Sequence, residues 1–154
     1  MWDTVKDEFV FDFEAVIKVA REVPTKRDLL SIIASLFDPL GLLSPCIVKL
    51  KVIFQNATKD TKGWGEILNE EIQKEWTKWF ASVREFKEIR IQRPYFDARI
   101  MNIMLVGFGD DSENAYAAVI YAVCTDYEGN RASSFVICKT RVTPIKTQCQ
   151  DLNC

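Results

Sequence analysis

The sequence contains no histidine. That absence removes every Ser/His/Asp and Cys/His mechanism and most zinc sites. Its cysteines, Cys46, Cys124, Cys138, Cys149 and Cys154, are odd in number, widely spaced and without a Cys-x-x-Cys pair. The first three lie inside apolar runs, so they read as reduced core thiols of an intracellular protein, cytoplasmic or nuclear. No apolar stretch approaches the roughly 18 residues that span a bilayer. The start, Met1-Trp2-Asp3-Thr4-Val5-Lys6-Asp7, has acids where a signal peptide needs a basic flank, so neither secretion nor a membrane span is expected. No internal repeat or low-complexity tract occurs.

Neither sign of charge dominates. The formal net charge is −2 with 27% charged residues, which gives neither the basic excess of many nucleic-acid binders nor the acidity of a disordered tail. The distribution is uneven, however. Between Pro24 and Lys62 the bases Lys26, Arg27, Lys49, Lys51, Lys59 and Lys62 outnumber Asp28, Asp38 and Asp60. From Gly107 to Gly129 there are Asp110, Asp111, Glu113, Asp126 and Glu128 and no base. The first stretch suits phosphate, the second a cation.

What is present is a chain of 154 residues, 48% hydrophobic, long enough to bury a core. Phe9, Phe11 and Phe13 alternate with Val10 and Asp12, which predicts a strand over Asp7 to Glu14. Thr25 precedes Asp28 by three, a variant capping box, and Leu29, Leu30, Ile32, Ile33, Leu36 and Phe37 follow at helical spacing. Asp38-Pro39-Leu40-Gly41 breaks that helix. Ser44 as N-cap with Pro45 behind it opens a second helix, buried along Ile47, Leu50, Phe54 and Ala57. Leu68, Ile72, Trp76, Trp79, Phe80 and Val83 predict a third over Glu66 to Arg84. Glu88 to Gln92 reads as a short strand. Ile100 to Phe108, Ala117 to Val123 and Ser133 to Cys138 read as an antiparallel meander with Tyr127-Glu128-Gly129-Asn130 as a turn. A domain boundary is expected around Phe96 to Met101.

Read from the residues alone, Asp110 and Asp111 are a solvated turn, because Asp is common wherever strands end. Trp64, Trp76 and Trp79 could stack bases, but at helical spacing they read as core. Ser44 and Ser112 have no base to activate them and read as cap and turn residues. Basic residues on amphipathic helices are usually just solvated, so Lys26, Arg27, Lys49 and Lys51 are candidates for phosphate contact and no more.

A longer pattern adds to this. Thr25-Lys26-Arg27, then Leu30-Ser31-Ile32-Ile33-Ala34-Ser35-Leu36-Phe37-Asp38-Pro39-Leu40-Gly41-Leu42-Leu43-Ser44-Pro45, resembles the segment after the polymerase palm in Pao/BEL-type retrotransposon polyproteins. Trp64, Trp76-Thr77-Lys78-Trp79, Gly107-Phe108-Gly109-Asp110-Asp111-Ser112 with Ala115-Tyr116-Ala117-Ala118, and Lys139-Thr140-Arg141-Val142-Thr143-Pro144 are similar to the same family in the same order.

The resemblance implies an α+β chain in three parts. Residues 1–23 would be the last strands of a polymerase palm, and 24–98 a helical region like a thumb and connection. Residues 99–154 would be a truncated, ribonuclease H-like antiparallel sheet of three strands. The parent polyproteins combine protease, reverse transcriptase, ribonuclease H and integrase activities. The paired-aspartate motif Tyr-x-Asp-Asp and an Asp-Thr/Ser-Gly triplet are both missing, so neither polymerisation nor peptidase activity is expected.

Asp110 matches the family's first metal ligand, for Mg²⁺ in the parent, as a vestige. The second, a glutamate, falls on Asn153 when Leu152 is aligned, and an amide lacks the charge to hold Mg²⁺ tightly. Asp151 is a displaced substitute. Two-metal phosphoryl transfer needs several carboxylates converging on ions about 4 Å apart. The expectation is therefore an inactive fragment with a structural or nucleic-acid-guiding role, weak binding of RNA–DNA hybrid through Lys26, Arg27, Lys49 and Lys51, and self-association through an uncovered sheet. A host-adopted protein-interaction module is the alternative, and residual nuclease activity on RNA–DNA hybrids a third reading.

Overall fold

In the computed structural model, which describes residues 2–59, 63–86, 88–93 and 100–145, the alternating phenylalanines form β2, Glu8–Asp12. It lies between β1, Trp2–Asp3, and β3, Glu88–Gln92, with both neighbours antiparallel. Phe9 pairs with Ile91 and Phe11 with Ile89. Arg90 ties the strands at their surface, with ion pairs to Asp3, Glu8 and Glu88. The strand stops at Asp12, short of the predicted Glu14. There Asp12 accepts from the Glu14 N–H at 2.7 Å, and the chain turns into a short helix that the period-two pattern hid, α1, Glu14–Val19. Phe13 and Val16, three apart, are both buried.

Helix α2, Lys26–Ser35, begins as predicted: Thr25 Oγ1 accepts from the Asp28 N–H, and Asp28 accepts from the Thr25 N–H at 2.9 Å. Leu29 and Ile32 are buried, but Leu30 and Phe37 are 43% and 79% exposed, so the buried stripe is narrower than predicted. Burial tends to raise the Asp28 carboxyl, but the Thr25 N–H and hydroxyl, aided by Arg21 and Arg27, hold it below its ordinary value. A lowered folded-state pKa means that Asp28 stabilises the fold above the unfolded-state value, about 3.9, and that this contribution is lost as pH falls through the lower folded value. Asp28→Asn is expected to flatten the acid limb of stability against pH below about pH 4; urea titrations at stepped pH with an unchanged acid limb would contradict this.

The break before α3, Ser44–Lys59, is organised by Asp38. Its carboxylate accepts from the N–H groups of Gly41, Leu42 and Leu43 at 2.7–2.9 Å. Ser44 is already the buried first residue of the helix rather than its cap, and Asp38 holds the three residues that lead into it. Ile47, Leu50, Ile53 and Ala57 are buried, with Phe54 packed beside them.

Helix α4, Glu70–Arg84, starts later than Glu66, at an Asn69 cap that accepts from the Ile72 N–H. Ile67 instead bridges to Thr25. Trp76 is fully buried, with Trp79 and Phe80 stacked on it at 5.3 Å. The indole N–H groups of Trp76 and Trp79 donate to the carbonyls of Arg21 and Cys46. Phe13, Val16 and the buried residues of α2, α3 and α4 make one cluster.

Beyond it the chain forms the expected meander: β4, Ile100–Asp111, β5, Ala115–Asp126, and β6, Arg131–Val142, in that order. Each strand is longer than its apolar run because ladder pairing carries it through polar ends. Ile120 pairs with Ile137 and Tyr121 with Phe135, leaving Val136 as a bulge. The outer edge of β6 is fastened to the turn before α3: the Cys138 N–H donates to the Leu40 carbonyl at 2.8 Å, and Lys139 Nζ to that of Pro39. Gln55 on α3 donates to the Thr143 carbonyl. The fold class is α+β, as predicted. Most of the expected boundary segment, residues 96–101, lies outside the described residues.

Candidate functional site

Asp110 sits inside the β4 ladder opposite Ala117, with Thr140 next across on β6. It is a strand residue, not a turn residue. The turn begins at Ser112, whose hydroxyl and N–H both donate to the Ala115 carbonyl. Successive strand residues face opposite sides, so Asp111, opposite Tyr116, points away from the face that carries Asp110. Both are exposed. Asp111 therefore cannot join Asp110 on one ion.

Among the described residues, no three Asp, Glu, Cys or His side chains are grouped to hold a metal. The described donors do not fit a two-metal centre, which needs several carboxylates on one point. Asp151 and Asn153 lie outside the described residues.

The basic candidates do not all lie on one surface. Lys26 is only 6% exposed, and a buried residue does not reach a nucleic-acid backbone from this position. Arg27 is exposed, and its N–H donates to the Trp64 carbonyl. Lys49 is exposed and Lys51 half-buried. They flank buried Leu50, and residues two apart on a helix do not face the same way.

Of the tryptophans, Trp76 and Trp79 are core, as read from their spacing, whereas Trp64 is 51% exposed and 6.2 Å from Phe54. Ser112 holds its turn. Cys46, Cys124 and Cys138 are free thiols, Cys124 buried, and burial pushes the Cys46 thiol up against the smaller opposing pull of Lys49. Cys149 and Cys154 lie outside the described residues.

Sequence reasoning missed a cleft of about 670 Å³ between α3 and α4, floored by Val48, Val52, Trp79, Val83 and Phe86 and also lined by Lys49 and Lys78. The signal was available on α3, where Val48 and Val52 stand four apart and mark a second apolar stripe beside the buried one, facing Trp79 and Val83 of the α4 stripe across the cleft. Among the described residues, no helix is long and apolar enough to cross a membrane.

Comparison with known proteins adds a family. No curated protein and no solved structure matches the chain. A family model described as the Pao retrotransposon-like RNaseH-like domain matches residues 25–150, running from the Thr25 cap through α2, α3, α4 and the whole β4-β5-β6 meander. The continuous match takes in the Asp38-Pro39-Leu40-Gly41 turn and the Asp110 strand together, and this chain belongs to the Pao retrotransposon-like RNaseH-like domain family.

Proposed function

We propose that this chain is a fragment or remnant of a Pao/BEL-type polyprotein whose parent couples reverse transcriptase to ribonuclease H, and that it has a structural or nucleic-acid-guiding role without catalysis of its own. The observation that carries this reading is the position of Asp110: exposed on β4, with Asp111 on the opposite face and no converging carboxylates among the described residues. Helices α2 to α4 stand for the thumb and connection, and Arg27, Lys49 and Lys51 are the side chains left to touch a phosphate backbone. The free thiols fit an intracellular compartment, cytoplasmic or nuclear.

The test incubates the chain with RNA–DNA hybrid, with Mg²⁺ or Mn²⁺, and separately titrates binding at low and high salt. No hydrolysis, and weak binding that falls with salt, are expected. Hydrolysis that disappears in Asp110→Asn would overturn the non-catalytic reading and revive the nuclease. Binding that ignores salt, or none, would remove the guiding role. A host-adopted interaction module is the second reading, favoured by the exposed apolar residues Met101, Ile103, Met104, Leu105 and Phe108 on one strand.

A further inference from the structure

The cleft between α3 and α4 has a floor and a rim of different chemistry. Its floor is apolar: Val48 and Val52 are half-buried, Trp79 and Val83 are buried, and Phe86 stands exposed at the border. The Trp79 indole N–H is already engaged by the Cys46 carbonyl, so the ring brings no free donor to the cleft. Asn114 and Ala115, where the chain enters β5, add a third wall. Three walls around about 670 Å³ fall within the usual size of a small-molecule site, about 300–1,000 Å³ and mostly apolar with a few placed polar groups. The lining stretches Pro45 to Val52 and Glu75 to Val83 run about 10 and 12 Å at the helical rise, a length that suits an extended hydrocarbon chain.

The rim supplies the polar groups. Lys49 on α3 and Glu75, Lys78 and Ser82 on α4 line the cleft and are all exposed. Neither ammonium group, nor the Glu75 carboxylate, is in an ion pair among the described residues. Two ammonium groups against one carboxylate leave the rim with an excess of positive charge. Lys49 also pulls the Cys46 thiol down against its burial, so its charge is felt at the cleft wall.

We infer that this cleft binds a free medium-chain alkyl carboxylate, with the chain on the Val48, Val52, Trp79 and Val83 floor and the anionic head at the rim beside Lys49 and Lys78. Charge selects this occupant from other apolar chains. A neutral or cationic amphiphile gains the same apolar burial, but only an anion also gains from the positive excess of the rim. Glu75 opposes the anion, which gives the rim two kinds of charge whose removal acts in opposite directions. The inference goes beyond the proposed function: it requires no nucleic acid and does not depend on whether Asp110 is catalytic.

The experiment is isothermal titration calorimetry of the full chain with decanoate and, separately, with decyltrimethylammonium, both kept below their micelle ranges. Decanoate is expected to bind one to one with Kd below about 1 mM, and the cation at least about fivefold more weakly. Lys49→Gln combined with Lys78→Gln is expected to weaken decanoate by about fivefold, and Glu75→Gln to tighten it by about twofold. All three side chains are exposed, so the fold should persist, and far-UV circular dichroism checks that it does. If the double variant fails to fold, Glu75→Gln carries the comparison. No decanoate binding, a cation bound as tightly as the carboxylate, or decanoate affinity unmoved by whichever variant folds would each overturn the inference.

Discussion

Trp76→Ala is expected to cost about 3–5 kcal/mol of folding stability, the range for truncating a fully buried aromatic side chain. Several losses combine at this position. Trp76 has no exposed surface, and Trp79 and Phe80 both lose their stacking partner at 5.3 Å. The Arg21 carbonyl loses the indole N–H, which donates at 3.1 Å across 55 residues of chain. That bond joins α4 to the segment after α1, so its loss also loosens the seam between the N-terminal strands and the helices.

A domain of this size is held by about 5–15 kcal/mol, so the variant would lose a large part of its stability. Urea denaturation followed by circular dichroism would measure it. Trp64→Ala is the control: at 51% exposed, it should change stability by no more than about 1 kcal/mol. Equal losses for the two would show that the core is not centred on α4.

Gly41→Ala carries the second large effect. Gly41 has φ of +83°, a conformation that an L side chain adopts only with strain, and an added Cβ would stand 2.0 Å from the Cys138 carbonyl oxygen. The obstructing atom is backbone and cannot rotate aside. The variant must pull the turn away from β6, giving up the bonds from Cys138 to Leu40 and from Lys139 to Pro39. Left-handed strain of about 1 kcal/mol and the broken bonds at about 1 kcal/mol each give an expected loss of roughly 3 kcal/mol. Hydrogen exchange should show selective loss of protection at the Cys138 amide, with the Trp76 core intact.

Gly107→Ala and Gly109→Ala provide the contrast. Their nearest obstacles are at 4.0 and 3.7 Å, ordinary contact distances. Those variants should be close to neutral, even though both glycines belong to the motif that carries the family resemblance around Asp110. A Gly41→Ala protein as stable as the parent would mean that the turn and β6 are not fastened together.

Asp110 shows how far the candidate site could be read in advance. Its neighbours in sequence carried part of the family resemblance, together with the Thr25 to Pro45 segment, and the family match spans both. Whether other carboxylates approach it is a matter of tertiary placement. The ladder register assigns Asp110 and Asp111 to opposite faces, a fact of pairing that a Gly-Asp-Asp-Ser string, read there as a turn, does not contain. The same holds for the bases. Lys26 and Arg27 are equivalent on a linear reading, yet one is 6% exposed and the other lies at the surface.

The sequence by itself determined what depends on residues three or four apart. The Thr25–Asp28 capping box, the Trp76–Trp79–Val83 stripe, the limits of β3 and the meander all rest on local hydrogen bonding and periodicity. Tertiary structure alone decided the features that depend on what arrives from elsewhere in the chain. Helix α1 forms where Phe13 and Val16 reach the helical core, and Leu30 and Phe37 stay exposed because none of the described residues covers them. Asp38 organises the start of α3, Leu40 closes the edge of β6, and the edge of β4 is left open among the described residues. Burial and edge pairing are set by distant neighbours, and spacing along a chain carries no record of them.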